Sequence, residues 1–241
     1  MLKSYFSYLY NRTAKNSGSS VYSLLEQNKN SKLLDCGCWN GINTKKFGTI
    51  IGTKNLYGIE INKEKAKEAA KNGIKVKNSD LNKKFPYDNN SFDVVIAYHV
   101  IEHLVNVRLF VYELYRVLKK NGYAVIGTPN LASWHNIFAL LLGLQPFSGP
   151  TIKPDYEADL DLVKKLNQER IKKVFHGSKS ESLDHVKVMT LRALIELLKE
   201  NKFKIEKMQG FGYYPLFPPI SNIMETIDPY HSHYFIVKTR K

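Results

Sequence analysis

The sequence predicts a doubly wound α/β domain with a mostly parallel sheet, and three observations carry that expectation. Short apolar runs at 32–36, 55–60, 74–76, 92–98 and 123–127 alternate with stretches of helical periodicity, the rhythm of right-handed βαβ units. The first run ends in an acid and passes through two glycines, Asp35-Cys-Gly-Cys-Trp-Asn-Gly41, before a helix begins. Three acids, Asp35, Glu60 and Asp80, fall at or just beyond the ends of the first three runs, the edge at which such sheets bind ligands.

Residues 1–31 mix aromatics (Tyr5, Phe6, Tyr8, Tyr10, Tyr22) with a polar break at Asn16–Ser20, which predicts a short helix on each side. After the glycine turn, 43–51 reads as the first crossover helix and 55–60 as the second strand. Asn62 then caps a helix over 63–71, which Asn72-Gly73 stops. A third strand at 74–76 leads through a loop with Pro86 to a fourth at 92–98. A helix over 107–118 turns Leu109, Phe110, Leu114, Val117 and Leu118 inward. Asn121-Gly122 ends that helix, and 123–127 is a fifth strand.

Beyond it, 132–142 is a mostly apolar helix. Residues 144–187 are irregular, with Pro146, Pro150, Pro154 and a charged helix at 157–174. A stretch this long without a sheet pattern reads as a lid or binding insertion. Residues 190–201 form an amphipathic helix with Leu191, Leu194, Ile195 and Leu198 inward, and 203–208 and 234–238 are the last strands. The organisation expected is one domain over 1–241, with 1–31 as a helical cap and 131–188 as a lid or substrate insertion.

With 241 residues and 43% hydrophobic content, the chain can bury a full core. Its longest apolar run, 137–144, is far short of the ~20 residues a membrane span needs, and no signal-peptide pattern opens the chain, so a cytoplasmic protein is expected. Cys36 and Cys38 flank one glycine and read as small packing residues. The net charge of +14 would suit nucleic acid. The excess is lysine spread along the chain, however, with arginine only at 12, 108, 116, 170, 192 and 240, and arginine is the residue preferred for bidentate phosphate recognition.

Glycines after the first strand let the backbone approach a ligand, and the helix that follows presents free N–H groups to an anion. An acid after the second strand is placed to accept from both hydroxyls of a ribose. Asp80 could accept from the exocyclic amine of an adenine, with Leu81 against the ring. The spacing of Gly37 and Gly41 does not fit the G-x-G-x-x-G of dinucleotide-dependent dehydrogenases.

Asp35–Gly41, Gly58-Ile-Glu-Ile61, the run Phe85–Leu104 and Leu114–Tyr123 resemble the successive motifs of class I S-adenosylmethionine-dependent methyltransferases, closest to the small-molecule group that includes ubiquinone-type enzymes. The resemblance implies a Rossmann-like, seven-stranded sheet with the last strand antiparallel, and S-adenosyl-L-methionine as cofactor, with S-adenosyl-L-homocysteine as product. It implies that Asp35, Gly37 and Gly41 hold the methionine end, Glu60 the ribose, and Asp80 and Leu81 the adenine, with His99 beside the sulfonium and Trp39 and Ile61 among the cofactor-binding residues. Trp39 stands where the family usually has glycine; a position with φ > 0 would disfavour tryptophan.

Methyl transfer from a sulfonium is an in-line displacement, and a base is needed only when the nucleophile arrives protonated. His99 is the candidate, because histidine is the residue type suited to proton transfer near neutral pH and this one follows a strand end at the crevice. His99, Glu102 and His103 also spell H-x-x-E-H, a zinc-protease signature, but here it starts at a strand end instead of lying on a helix. No metal is expected; Glu102 and His103 are weak candidate ligands, since some related quinone methyltransferases use carboxylates and a histidine hereabouts for a divalent cation. The partner expected is a small-molecule or lipid-like acceptor, with 137–147 and 211–217 as a candidate greasy entrance. Two alternatives stand beside it: a protein that binds the cofactor without turnover, and an RNA methyltransferase.

Overall fold

The computed structural model describes residues 2–150 and 185–241. The helix expected at 157–174, and most of the expected insertion at 131–188, lie outside the described residues. Seven strands form one sheet: β1 (Lys32–Cys36), β2 (Asn55–Glu60), β3 (Lys75–Asn78), β4 (Phe92–Tyr98), β5 (Leu118–Pro129), β6 (Lys204–Phe211) and β7 (Tyr234–Arg240). Their order is β3-β2-β1-β4-β5-β7-β6, and β7 runs antiparallel to both neighbours, so the expected topology is present.

The reversal of strand order between β1 and β4 opens the crevice above the carboxyl ends, and Asp35 and Glu60 sit at that edge, at the last turn of their strands. β1 and β4 are apolar on both faces because helices cover both; Leu33 and Leu34 are each fully buried, on opposite sides. One layer contains α4 (Val107–Val117) and α6 (Leu191–Glu200), whose Phe110, Leu114, Val117, Leu191, Leu194 and Leu198 close over Leu34, Val95 and Phe235. The other packs α2 (Ile42–Ile51) and α3 (Lys63–Lys71) through Phe47, Ile51 and Ala69 onto Leu33, Val94 and Ile96. Asn62 caps α3 by accepting from the N–H groups of Glu64 and Lys65, as its sequence position indicates.

Several expectations need correction. The polar break at Asn16–Ser20 does not divide the N-terminal helix: α1 runs unbroken from Leu2–Ser23. Leu9, Thr13, Ser17, Val21 and Leu24 make a continuous buried stripe, and the Ser19 and Ser23 hydroxyls donate back to the carbonyls of Asn16 and Ser20. Packing therefore overrides an unfavourable propensity of about 3 kcal/mol summed over those five residues. The third strand is shifted to Lys75–Asn78 because its ladder with β2 pairs Lys75 with Tyr57 through Asn78 with Glu60.

The fifth strand starts at Leu118, not Tyr123. Leu118 pairs with Phe92, and a bulge carrying Asn121 at φ 66° absorbs Asn121-Gly122 before pairing resumes at Tyr123. Finally, the proline-rich loop after β6 contains a helix, α7 (Pro218–Ile227), with prolines at its first two positions, where no N–H is needed. The apolar helix at 132–142 is shorter, α5 (Trp134–Leu141).

Candidate active site

The turn after β1 is held by its own backbone. Gly37 N–H and Cys38 N–H both donate to the Ile59 carbonyl, at 2.8 and 3.2 Å, and Gly41 N–H donates to Cys38 at 2.8 Å. Gly37 and Gly41 have φ of 72° and 79°. A Cβ at Gly37 would come within 2.9 Å of Val100, and one at Gly41 within 2.8 Å of Ile74, so both positions exclude a side chain. Trp39 adopts φ 48° without being glycine. Its N–H is fixed by the Glu60 carboxylate at 2.9 Å and its ring lies under the Lys65 ammonium, 5.2 Å from the centroid. These contacts offset the left-handed strain and leave the indole 39% exposed at the mouth.

Asp35 is buried beneath the turn and accepts from the Thr44 hydroxyl at 2.5 Å. Burial, opposed by that hydrogen bond and aided by the nearby Glu60 charge, pushes its carboxyl up to about 7. Such a carboxyl is poised to ionise when a cation arrives. Glu60 spans the gap between the two turns, with one oxygen on Trp39 N–H and the other on Asn62 N–H, 2.9 Å each. Each oxygen keeps a further lone pair for a hydroxyl donor.

A cavity of about 70 Å³ opens at this point, lined by Asp35, Gly37, Cys38, Trp39, Asn40, Asn43, Phe47 and Tyr98. Three of the expected residues, Asp35, Gly37 and Trp39, thus share one cavity. Gly41, Glu60, Ile61, Asp80, Leu81 and His99 do not line it. Ile61 is exposed beside Glu60. Asp80 accepts from the backbone and side-chain amides of Asn82, which in turn accepts from Val105 and Asn106 N–H, tying this loop to the start of α4. Leu81 is buried in the core beside Phe85.

His99 stands one residue past β4 with φ 55°, its N–H held by the Gly127 carbonyl at 2.8 Å. Its Nδ1 lies 3.1 Å from an oxygen of Glu102, and its ring meets Tyr98 and Tyr234 edge to face. Glu102 is 0% exposed on the 3₁₀ turn Ile101–His103, and its second oxygen accepts from the Thr128 hydroxyl at 2.9 Å. Burial pushes this carboxyl up, but the facing His99 imidazole, with His103 behind, outweighs burial and holds it below the usual range. An ionised Glu102 fixes the Nδ1–H tautomer of His99 and leaves Nε2 free to take a proton.

Donor atoms of Glu102, His103 and His185 lie within 4.8 Å of one another. His185 Nδ1 faces the Ser148 carbonyl at 2.6 Å, an arrangement that makes Nδ1 the donor and Nε2 the lone-pair nitrogen. Sequence reading missed His185, which reaches the site from a loop 82 positions after His103. It also missed Thr44, Asn43 and Tyr98, although the first two open the helix just past the glycine turn and could have been found there.

Residues 34–126, the strands and helices that build this crevice, match the methyltransferase domain family. Among relatives of this domain, the chain is 32% identical over 117 residues to a ubiquinone biosynthesis O-methyltransferase of Pelagibacter ubique, covering 47% of this chain and 48% of that one. It is 26% identical over 212 residues to an enzyme of the same name from Rickettsia conorii, covering 87% and 62%. The chain thus spans about half the length of the first of these relatives. Solved structures share the fold through the C-terminal strands. A S-adenosylmethionine dependent methyltransferase structure from Mesorhizobium loti overlays at a TM-score of 0.59, with 16% identity, over 92% of this chain and 96% of the other. One from Listeria monocytogenes, a putative enzyme of the same kind, overlays at 0.60 with 12% identity, over 95% and 99%. No helix among the described residues is long and apolar enough to cross a membrane.

Proposed function

We propose that the chain transfers a methyl group from S-adenosylmethionine to an oxygen or nitrogen nucleophile, or an activated carbon, of a small or medium-sized acceptor. The observation that carries this reading is the pairing of Glu60 with both turns at a crevice whose base holds the buried Asp35. The names of the relatives, O-methyltransferases, favour a hydroxyl acceptor.

When bound, the cofactor supplies an electrophilic methyl group on a sulfonium. Asp35, Gly37, Trp39 and Gly41 would hold its methionine end, Glu60 with Ile61 its ribose, and Asp80 and Leu81 its adenine. The Asp35 carboxyl would ionise against the α-ammonium. Much of the catalytic task is alignment and exclusion of water, and positioning of this kind can supply ~7 kcal/mol or more. His99 would take the acceptor proton at Nε2, held in register by Glu102 at Nδ1, while α1 would cap the crevice.

One observation favours a second reading of the same corner: the convergence of Glu102, His103 and His185. Two imidazoles and a carboxylate suit a borderline divalent ion such as zinc, which would lower the pKa of an acceptor hydroxyl. The test is release of S-adenosylhomocysteine from S-adenosylmethionine across a panel of phenols, alcohols and amines, with and without chelator. His99→Gln should lose at least 100-fold in turnover on any acceptor that reacts. Full turnover in His99→Gln would remove the base role, and loss of turnover on chelation would favour the metal.

A further inference from the structure

The cavity at the glycine turn, about 70 Å³, is far below the ~300–1,000 Å³ of sites that enclose small ligands, and α1 packs against two of its lining residues, Phe47 and Tyr98. From one side, the Tyr22 ring packs 5.9 Å from Phe47, a wall of the cavity. Five residues upstream, the Ser17 hydroxyl sits 3.0 Å from the hydroxyl of Tyr98, another lining residue. Farther along, Thr13 rests on Gly212, Arg12 donates to the Asn222 side chain and Tyr5 donates to the Pro215 carbonyl.

The two ends of this helix are anchored unequally. Val21 and Leu24 are rooted in the core with Leu33, Phe47 and Ile51. The upstream half holds through Leu9, Thr13 and exposed polar contacts. Between them lie Asn16, Ser17, Gly18, Ser19 and Ser20, and a Cβ at Gly18 would meet nothing within 4 Å. A glycine with open space around it is needed there neither for packing nor for a positive φ. What it contributes is the weakest point of the helix.

We infer that the upstream half of α1 is a gate over the crevice, hinged at Gly18 and latched by Ser17 on Tyr98. The inference rests on the methyltransferase reading for what passes the gate. Opening the latch and bending at the hinge would swing residues 4–17 off Tyr98 and Gly212 while Val21 and Leu24 stay in the core. A gate changes entry and exit together; a binding residue changes affinity.

Two variants push in opposite directions. Gly18→Ala stiffens the hinge and fits without contact, and should lower the open fraction about fivefold. Ser17→Ala removes the latch and should raise it by a similar factor. Amide hydrogen exchange on the ligand-free protein should show residues 5–16 exchanging through one shared opening, slower in the first variant and faster in the second. Stopped-flow tryptophan fluorescence, with Trp39 as the reporter, should show S-adenosylhomocysteine association and dissociation shifting by that same factor, with Kd unchanged. Exchange that shifts while both rates stay fixed, or a Kd that changes because only one of the two rates moves, overturns the gate alone. Failure of the wild-type chain to bind S-adenosylhomocysteine at all overturns the cofactor reading and the gate with it.

Discussion

The two halves of the crevice are built from different materials. Around Asp35 and Glu60 the geometry is fixed by backbone: Gly37, Cys38 and Gly41 N–H groups close the turn, and Glu60 ties it to the cap of α3. Around His99 it is fixed by side chains drawn from separate parts of the chain: Glu102 and Thr128 on one side, Tyr234 on another, and His185 with Ser148 beyond. Histidines gather there. His233 Nδ1 lies 3.0 Å from His135 Nε2, and burial, with His135, His99 and His185 nearby, drives the His233 ring well below the usual range. A backbone-built half suits a ligand common to a whole fold, whereas a side-chain-built half can be changed residue by residue to suit the acceptor.

The comparison can be broken most severely at Glu102. Glu102→Gln keeps the shape but not the charge, and should lower turnover by about 10²–10⁴-fold while leaving S-adenosylhomocysteine affinity within a factor of three. A loss confined to affinity would mean the halves are not separate. ¹⁵N NMR of His99 should show the Nδ1–H tautomer in wild type and a mixture in the variant. Next in size, Glu60→Ala leaves two backbone donors without their carboxylate and should weaken cofactor binding about 100-fold.

Two pH effects should separate the halves. Asp35 is raised from its unfolded value near 3.8 to about 7, so its ionisation is disfavoured in the folded state, and stability falls as pH rises through that window. Asp35→Asn should therefore gain thermal stability over wild type at pH 8, by roughly 2 kcal/mol or more, and little at pH 4. His135 is lowered to about 4 by burial, so the unfolded chain binds the proton first and stability falls as pH drops from about 6.5 to 4. His135→Phe should flatten that acid limb in a melting series; an unchanged limb would place its cause elsewhere. The smallest effect is at Gly18→Ala, which should add about 0.5–1 kcal/mol, or ~1–4 °C in Tm.

The same division governs what could be read from sequence. Strand 55–60, helix 63–71 and strand 92–98 appear with the expected bounds, because apolar period and caps are local signals. The glycine turn with Asp35 is local too, a run of seven residues. The strap α1 was not legible as one helix, since Asn16–Ser20 argue for a break and only the buried stripe from Leu9 to Leu24 overrules them. Nor was α7, whose prolines read as loop until their place in the first turn is seen. His185 and Thr128 join Glu102 through folding alone, and no spacing announces them.

The central claim is that this crevice holds S-adenosylmethionine across Glu60, and calorimetric titration of wild type and Glu60→Ala with S-adenosylmethionine and S-adenosylhomocysteine tests it most directly. The account predicts micromolar binding of at least one of them by wild type, weakened about 100-fold in the variant. Equal affinity in both proteins, or none in wild type, would contradict it.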